Sequence, residues 1–128
     1  MKARKPAKAP QASTLAAALR AAKEAALSHS NPPLALAILE VEDDAARVRS
    51  EPSKPVCRYH LALAAVAAGM ALAAQITTCL SFAEDGDDED EWPVTHGLSE
   101  ARALAAALVA LADGVETELA ATSPGVAS

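Results

Sequence analysis

Two cysteines, three histidines and seventeen carboxylates are the residues of this 128-residue chain best equipped for chemistry. Their spacing limits what that chemistry is. Cys57-x-x-His60 sets a thiol and an imidazole one helical turn apart, a geometry that can hold zinc from one side but supplies two ligands where a structural site needs four. Cys79, about six turns further along the same apolar segment, and His29 and His96, both read as loop residues, do not complete a cage. Cys57 and His60 would also be the nucleophile and base of a thiol enzyme, with Cys57 in a first helical turn where free N–H groups and the helix dipole favour a thiolate. Nothing glycine-rich surrounds them to build an oxyanion hole.

The carboxylates are no more specific. Glu40, Glu42, Asp43 and Asp44 cluster on one stretch, but no Glu-x-x-His of the di-iron bundles occurs in the chain. Residues 84–91 contain seven acids in eight positions. Read from Asp85 as a calcium loop, the sixth and twelfth places hold Asp90 and His96 instead of the required glycine and bidentate glutamate. Phosphate-cradling loops and strand-turn-helix nucleophile motifs are absent from the sequence. No catalytic residue, metal or cofactor is expected, and the expectation is a non-enzymatic protein.

Charge is distributed unevenly. The net charge of −6 divides into +4 over residues 1–60 and −10 over 61–128, where Arg102 is the only Lys or Arg. An acidic chain lacks the clustered basic face that releases counterions from nucleic acid. The exception is the start, Lys2, Arg4, Lys5 and Lys8 among alanine and proline, which resembles the tails of linker-histone-type proteins and implies nonspecific contact with nucleic acid through those four residues. Residues 1–12 cannot bury enough apolar surface to stay ordered and are read as a disordered basic tail, or as a solubilising tail or the start of a transit peptide. Arg20, Lys23 and Glu24 interrupt the apolar segment that a secretory signal would need.

The elements that position these residues are helices. The chain is 52% hydrophobic with 34 alanines, 15 leucines and only 2% aromatics, and no alternating apolar pattern is sustained. Leu15, Leu19, Ala22 and Ala26 mark a first helix from Ser13 or Thr14 to about Ser28, stopped by Asn31-Pro32-Pro33. The same prolines open a second helix with Leu34, Ile38, Val41, Ala45 and Val48 on one stripe, a supporting Asp43–Arg47 pair, and Leu36 and Leu39 facing away. A third runs from about Pro55 to Ala83, with 23 uncharged residues at 61–83. Leu63, Val66, Met70 and Ala74 lie on one side of it and Leu61, Leu72, Ile76 and Cys79 on the other. A fourth, capped by Ser99, carries Leu104, Leu108, Leu111 and Val115.

The expected fold is therefore all-α: a small Ala-rich bundle of about four helices, the third and fourth forming a long antiparallel pair. Residues 13–123 are read as one helical domain with an acidic loop at 84–98, and residues 124–128 as a disordered end. Cys57 and Cys79, about 33 Å apart on one helix, are too distant to pair, which fits a cytoplasmic setting. The third helix, apolar all round, is central in a bundle or crosses a membrane, since its 23 residues span about 34 Å. The bundle is favoured because fourteen of those residues are alanine, glycine or polar.

These features point to an interaction or regulatory protein. Its expected partner-binding residues are Glu84, Asp85, Asp87, Asp88, Glu89, Asp90 and Glu91, which would steer a basic protein, with Leu36 and Leu39 as spare apolar contacts. Self-association through the third helix is a further expectation. Single-pass membrane insertion through residues 61–83, and a purely structural helical domain, are the alternatives.

Overall fold

The computed structural model describes residues 10–84 and 91–122. Over these the chain forms four helices, α1 (Pro10–Ser28), α2 (Pro32–Ser50), α3 (Pro55–Glu84) and α4 (Glu91–Ala121), and no strand. Each helix packs on the next in a ring, α3 against α4 most extensively, and α4 closes on α1. All neighbours are antiparallel: Gly97 near the start of α4 meets Cys79 and Ala83 near the end of α3, and Gly114 late in α4 meets Leu15 early in α1.

The stripes read from the sequence of α1, α2 and α4 are the faces that meet. Leu15, Leu19, Ala22 and Ala26 of α1, Leu34, Ile38, Val41, Ala45 and Val48 of α2, and Leu104, Leu111 and Val115 of α4 are all buried. Leu108 is partly buried against them. None of these side chains is aromatic; leucine, isoleucine and valine fill the core, and the alanines between them let the helix axes come close.

The joint between α1 and α2 follows from its residues. Ser30 sits at φ 48°, the left-handed conformation in which a helix commonly ends. Its N–H donates to the Leu27 carbonyl and that of Asn31 to the Ala26 carbonyl, satisfying carbonyls that the ended helix leaves without partners. Asn31 then caps α2 by accepting from the Leu34 N–H at 3.2 Å, with proline in the first turn where no donor is needed. The Asn31 side-chain amide also donates to Gln75 Oε1 of α3 at 3.2 Å, tying the turn to the third helix.

Three sequence expectations are corrected. α1 begins at Pro10, so the last three residues assigned to a tail are helical; Lys2, Arg4, Lys5 and Lys8 and residues 124–128 lie outside the described residues. α4 begins at Glu91, eight residues before Ser99, so 91–98 is not loop. Pro93 is tolerated in the first turn of a helix, and Gly97 marks a close approach between helices instead of a turn. Arg47 pairs with Asp44 at 2.8 Å, not with Asp43.

Gly97 and Gly114 are points where backbones nearly touch. A Cβ at Gly97 would lie 2.6 Å from the Cys79 carbonyl oxygen and 2.7 Å from the Ala83 Cβ, neither of which can rotate away. Helix propensity alone makes Gly→Ala favourable by up to about 1 kcal/mol, while overpacking costs about 1–3 kcal/mol. Gly97→Ala is thus expected to lower unfolding free energy by about 1–2 kcal/mol in urea titration; a gain in stability would show that α3 and α4 do not approach at this point.

Candidate functional site

The long third helix has one covered face and one bare face. Cys57, Leu61, Ala64, Ala68, Leu72, Cys79 and Ala83 are buried toward the bundle. Val56, Tyr59, Leu63, Val66 and Met70 are exposed on the other side, Met70 to 68%, with Ala73, Ala74, Thr77 and Ser81 continuing the surface. Only 22% of the most apolar 18-residue stretch of this helix is buried. The sequence reading that α3 is central in the bundle holds for one side alone, because among the described helices α3 packs on α2 and α4 and its far side is exposed.

Two polar anchors set which face turns inward. Arg58, near the start of α3, donates from Nη2 to the Leu119 carbonyl at 2.6 Å and from Nη1 to Thr122 Oγ1 at 3.1 Å. The guanidinium thereby supplies a cation to the carbonyl end of α4, where the helix dipole is negative. Gln75, nearly five turns later, holds Asn31 as described above. Nearby, Arg49 meets the buried Glu118 at 3.2 Å, joining α2 to α4.

The surface residues expected from the sequence fall into three groups. Glu84 ends α3 and is exposed. Asp85, Asp87, Asp88, Glu89 and Asp90 lie outside the described residues, and Glu91 is the first residue of α4. Leu36 and Leu39 are both exposed on α2; Leu39 borders a groove of about 500 Å³ with Leu27 and Ala35 at the α1–α2 corner, and Leu36 does not.

The end of the bundle that holds the α1–α2 turn gathers chemistry that the sequence had left scattered. His29 Nε2 lies 3.1 Å from Glu100 Oε1. The ring of His96 stacks on Trp92 at 4.5 Å, one turn earlier in α4, and Phe82 of α3 meets both rings edge-on. Together with Cys79 these side chains line a cavity of about 270 Å³. Reading 92–98 as loop hid this cluster; the signal that would have revealed it is the i, i+4 spacing of Trp92 and His96 behind a first-turn proline. Cys57 and Cys79 are free and buried, while His60 is exposed. Among the described residues no group of three or more His, Cys, Asp or Glu is placed to hold a metal ion.

What the fold and these surfaces define is an all-α four-helix bundle with an uncovered apolar helix face. No known protein family matches the chain, and no curated protein or solved structure is detectably similar to it.

Burial pushes the Cys79 thiol above its ordinary pKa; a hydrogen bond with Gln75 opposes this and the nearby Glu100 carboxylate adds to it. A raised pKa disfavours the thiolate, the nucleophilic form. Alkylation of Cys79 in a Cys57→Ser background is expected to rise with pH at a midpoint above the value of about 8.5 for a free thiol, and to return to it in urea. Linkage has the same sign: the thiol's contribution to stability is full below that unfolded value and is lost as pH climbs through the folded one. A midpoint below that of free cysteine would mark Cys79 as activated instead.

Proposed function

We propose that this chain is a non-enzymatic helical interaction protein that works through the outer face of α3, in a cytoplasmic setting that keeps its two thiols reduced. The observation that carries the reading is the exposed, uncharged run of Val56, Tyr59, Leu63, Val66 and Met70 on a helix whose other face is packed. A contiguous apolar surface of this kind is costly to leave in water and marks a place of association. The acidic run at 84–91 follows directly. Its role in the proposal is to draw in a basic region of the partner, since like charges at that density act at a distance and are screened by salt.

Membrane insertion of α3 is a second reading, favoured by one observation: α3 alone among the described helices is long and apolar enough to cross a bilayer. Against it, insertion would strip Leu61 and Leu72 from α2 and α4, and the outer surfaces of those two helices carry charges, among them Asp43, Arg102, Asp113 and Glu116, which cannot follow into lipid at small cost.

Photo-crosslinking in cells separates these readings. A photoreactive residue at Val66 or Met70 is expected to yield discrete protein adducts that one at Ala46, exposed on α2, does not yield. Changing Asp87, Asp88 and Asp90 to asparagine and Glu89 to glutamine is expected to slow adduct formation in dilute lysate on the order of tenfold at low salt and negligibly at high salt. Adducts no stronger than at Ala46 would overturn the interaction reading, and an unchanged rate would remove the acidic run from it. Retention of the chain in carbonate-washed membranes, with release only by detergent, would establish insertion.

A further inference from the structure

Resting on the reading of α3 as an interaction surface, we infer that its occupant is a second copy of this chain, with the two α3 helices packed antiparallel along their outer faces. The spacing carries the argument. Val56, Tyr59, Leu63, Val66, Met70, Ala73, Thr77 and Leu80 follow one another at steps of three and four without a break, and every one of them is exposed. That is the a and d repeat of a two-helix seam, sustained for more than three heptads. On a straight helix the stripe drifts by about 20° per heptad, which two helices absorb by a slight left-handed wrap.

The seam is complementary to itself in one direction. Large residues fill its first half (Val56, Tyr59, Leu63, Val66, Met70), and smaller ones dominate the second (Ala73, Thr77), closed by Leu80. Parallel pairing would set Tyr59 against Tyr59 and leave Ala73 facing Ala73. Antiparallel pairing at a register where paired positions sum to 136 gives four layers, each occurring twice about a two-fold axis. Val56 then meets Leu80, Tyr59 meets Thr77, Leu63 meets Ala73 and Val66 meets Met70, large on small or comparable sizes throughout. The flanks permit close approach, because Ala62, Ala67, Gly69 and Ala74 border the seam and no charge does between residues 59 and 83.

Charge favours the same direction. The exposed Lys54, already held at 2.7 Å by Glu51, stands just before α3, and the exposed Glu84 ends it. In the antiparallel register Lys54 of each copy comes within about 3 Å, measured along the axis, of the level of Glu84 on the other. Antiparallel packing also opposes the two helix dipoles, where parallel packing would align them.

Sedimentation equilibrium and disulfide trapping test this with the full chain. At tens of micromolar the wild type is expected to sediment at twice its 13.0 kDa monomer mass, and a Leu63→Lys, Met70→Lys variant at the monomer mass. Both replaced side chains are exposed, so the variant is expected to keep the wild-type circular dichroism and cooperative unfolding. In a Cys57→Ser, Cys79→Ser background, oxidising a mixture of Tyr59→Cys and Thr77→Cys chains is expected to give the 59–77 heterodimer, with 59–59 below about a tenth of product. Predominant 59–59 trapping would overturn the antiparallel arrangement. A wild-type monomer at these concentrations, or a lysine variant that stays dimeric, would overturn the second copy as occupant. If such a monomer still yields adducts at Met70 with a different protein, or is captured by phosphatidylcholine vesicles, the surface belongs to that partner or to lipid. A monomer with neither would sink the interaction reading as well.

Discussion

Everything in this bundle depends on one face of α3 being taken out of water between α2 and α4. Leu61 and Leu72 are fully buried there, and each is worth about 2–3 kcal/mol of transferred apolar surface. Around them the inner face is alanine and cysteine, which contribute little area but allow the backbones to draw together. A helix apolar on all sides has no stripe of its own to select the buried face. The choice is made by its neighbours: the single-sided stripes of α2 and α4, the Arg58 bonds to the end of α4, the Gln75 bond to the α1–α2 turn, and the near contact at Gly97.

That division explains what could be read from the residues. α1, α2 and α4 alternate apolar and polar groups at helical spacing, so Leu34, Ile38, Val41, Ala45 and Val48 identified both the helix and its buried face. For α3 the helix was legible but not the face. Leu63, Val66 and Met70 differ too little in character from Leu61, Leu72 and Ile76 for sequence to rank them, and only the count of neighbouring helices does so. The start of α4 was missed because Pro93 and Gly97 carry two meanings each. Proline is as much at home in a first turn as in a loop, and glycine serves a close helix crossing as well as a turn.

The candidate surface was legible in the same uneven way. Leu36 and Leu39 face away from the α2 stripe in the sequence and are exposed in the structure. The acidic run is a property of composition and needed no fold to find. The cluster of His29, Cys79, Phe82, Trp92, His96 and Glu100 was invisible because its members come from the α1–α2 turn and two helices, and meet only once the antiparallel order of the ring is known. The outer face of α3 was named as one of two sides, while its lack of a cover is a fact of topology: four helices in a ring leave each with two neighbours, and only α3 is apolar on the side that remains.

Hydroxyl-radical footprinting of α3 in dilute, monomeric protein tests this two-faced burial most directly. Modification should rise and fall with the helical repeat, heavy at Leu63, Val66 and Met70 and several-fold weaker at Leu61 and Leu72. Even labelling of all five positions, or protection of Met70 together with attack at Leu72, would contradict it.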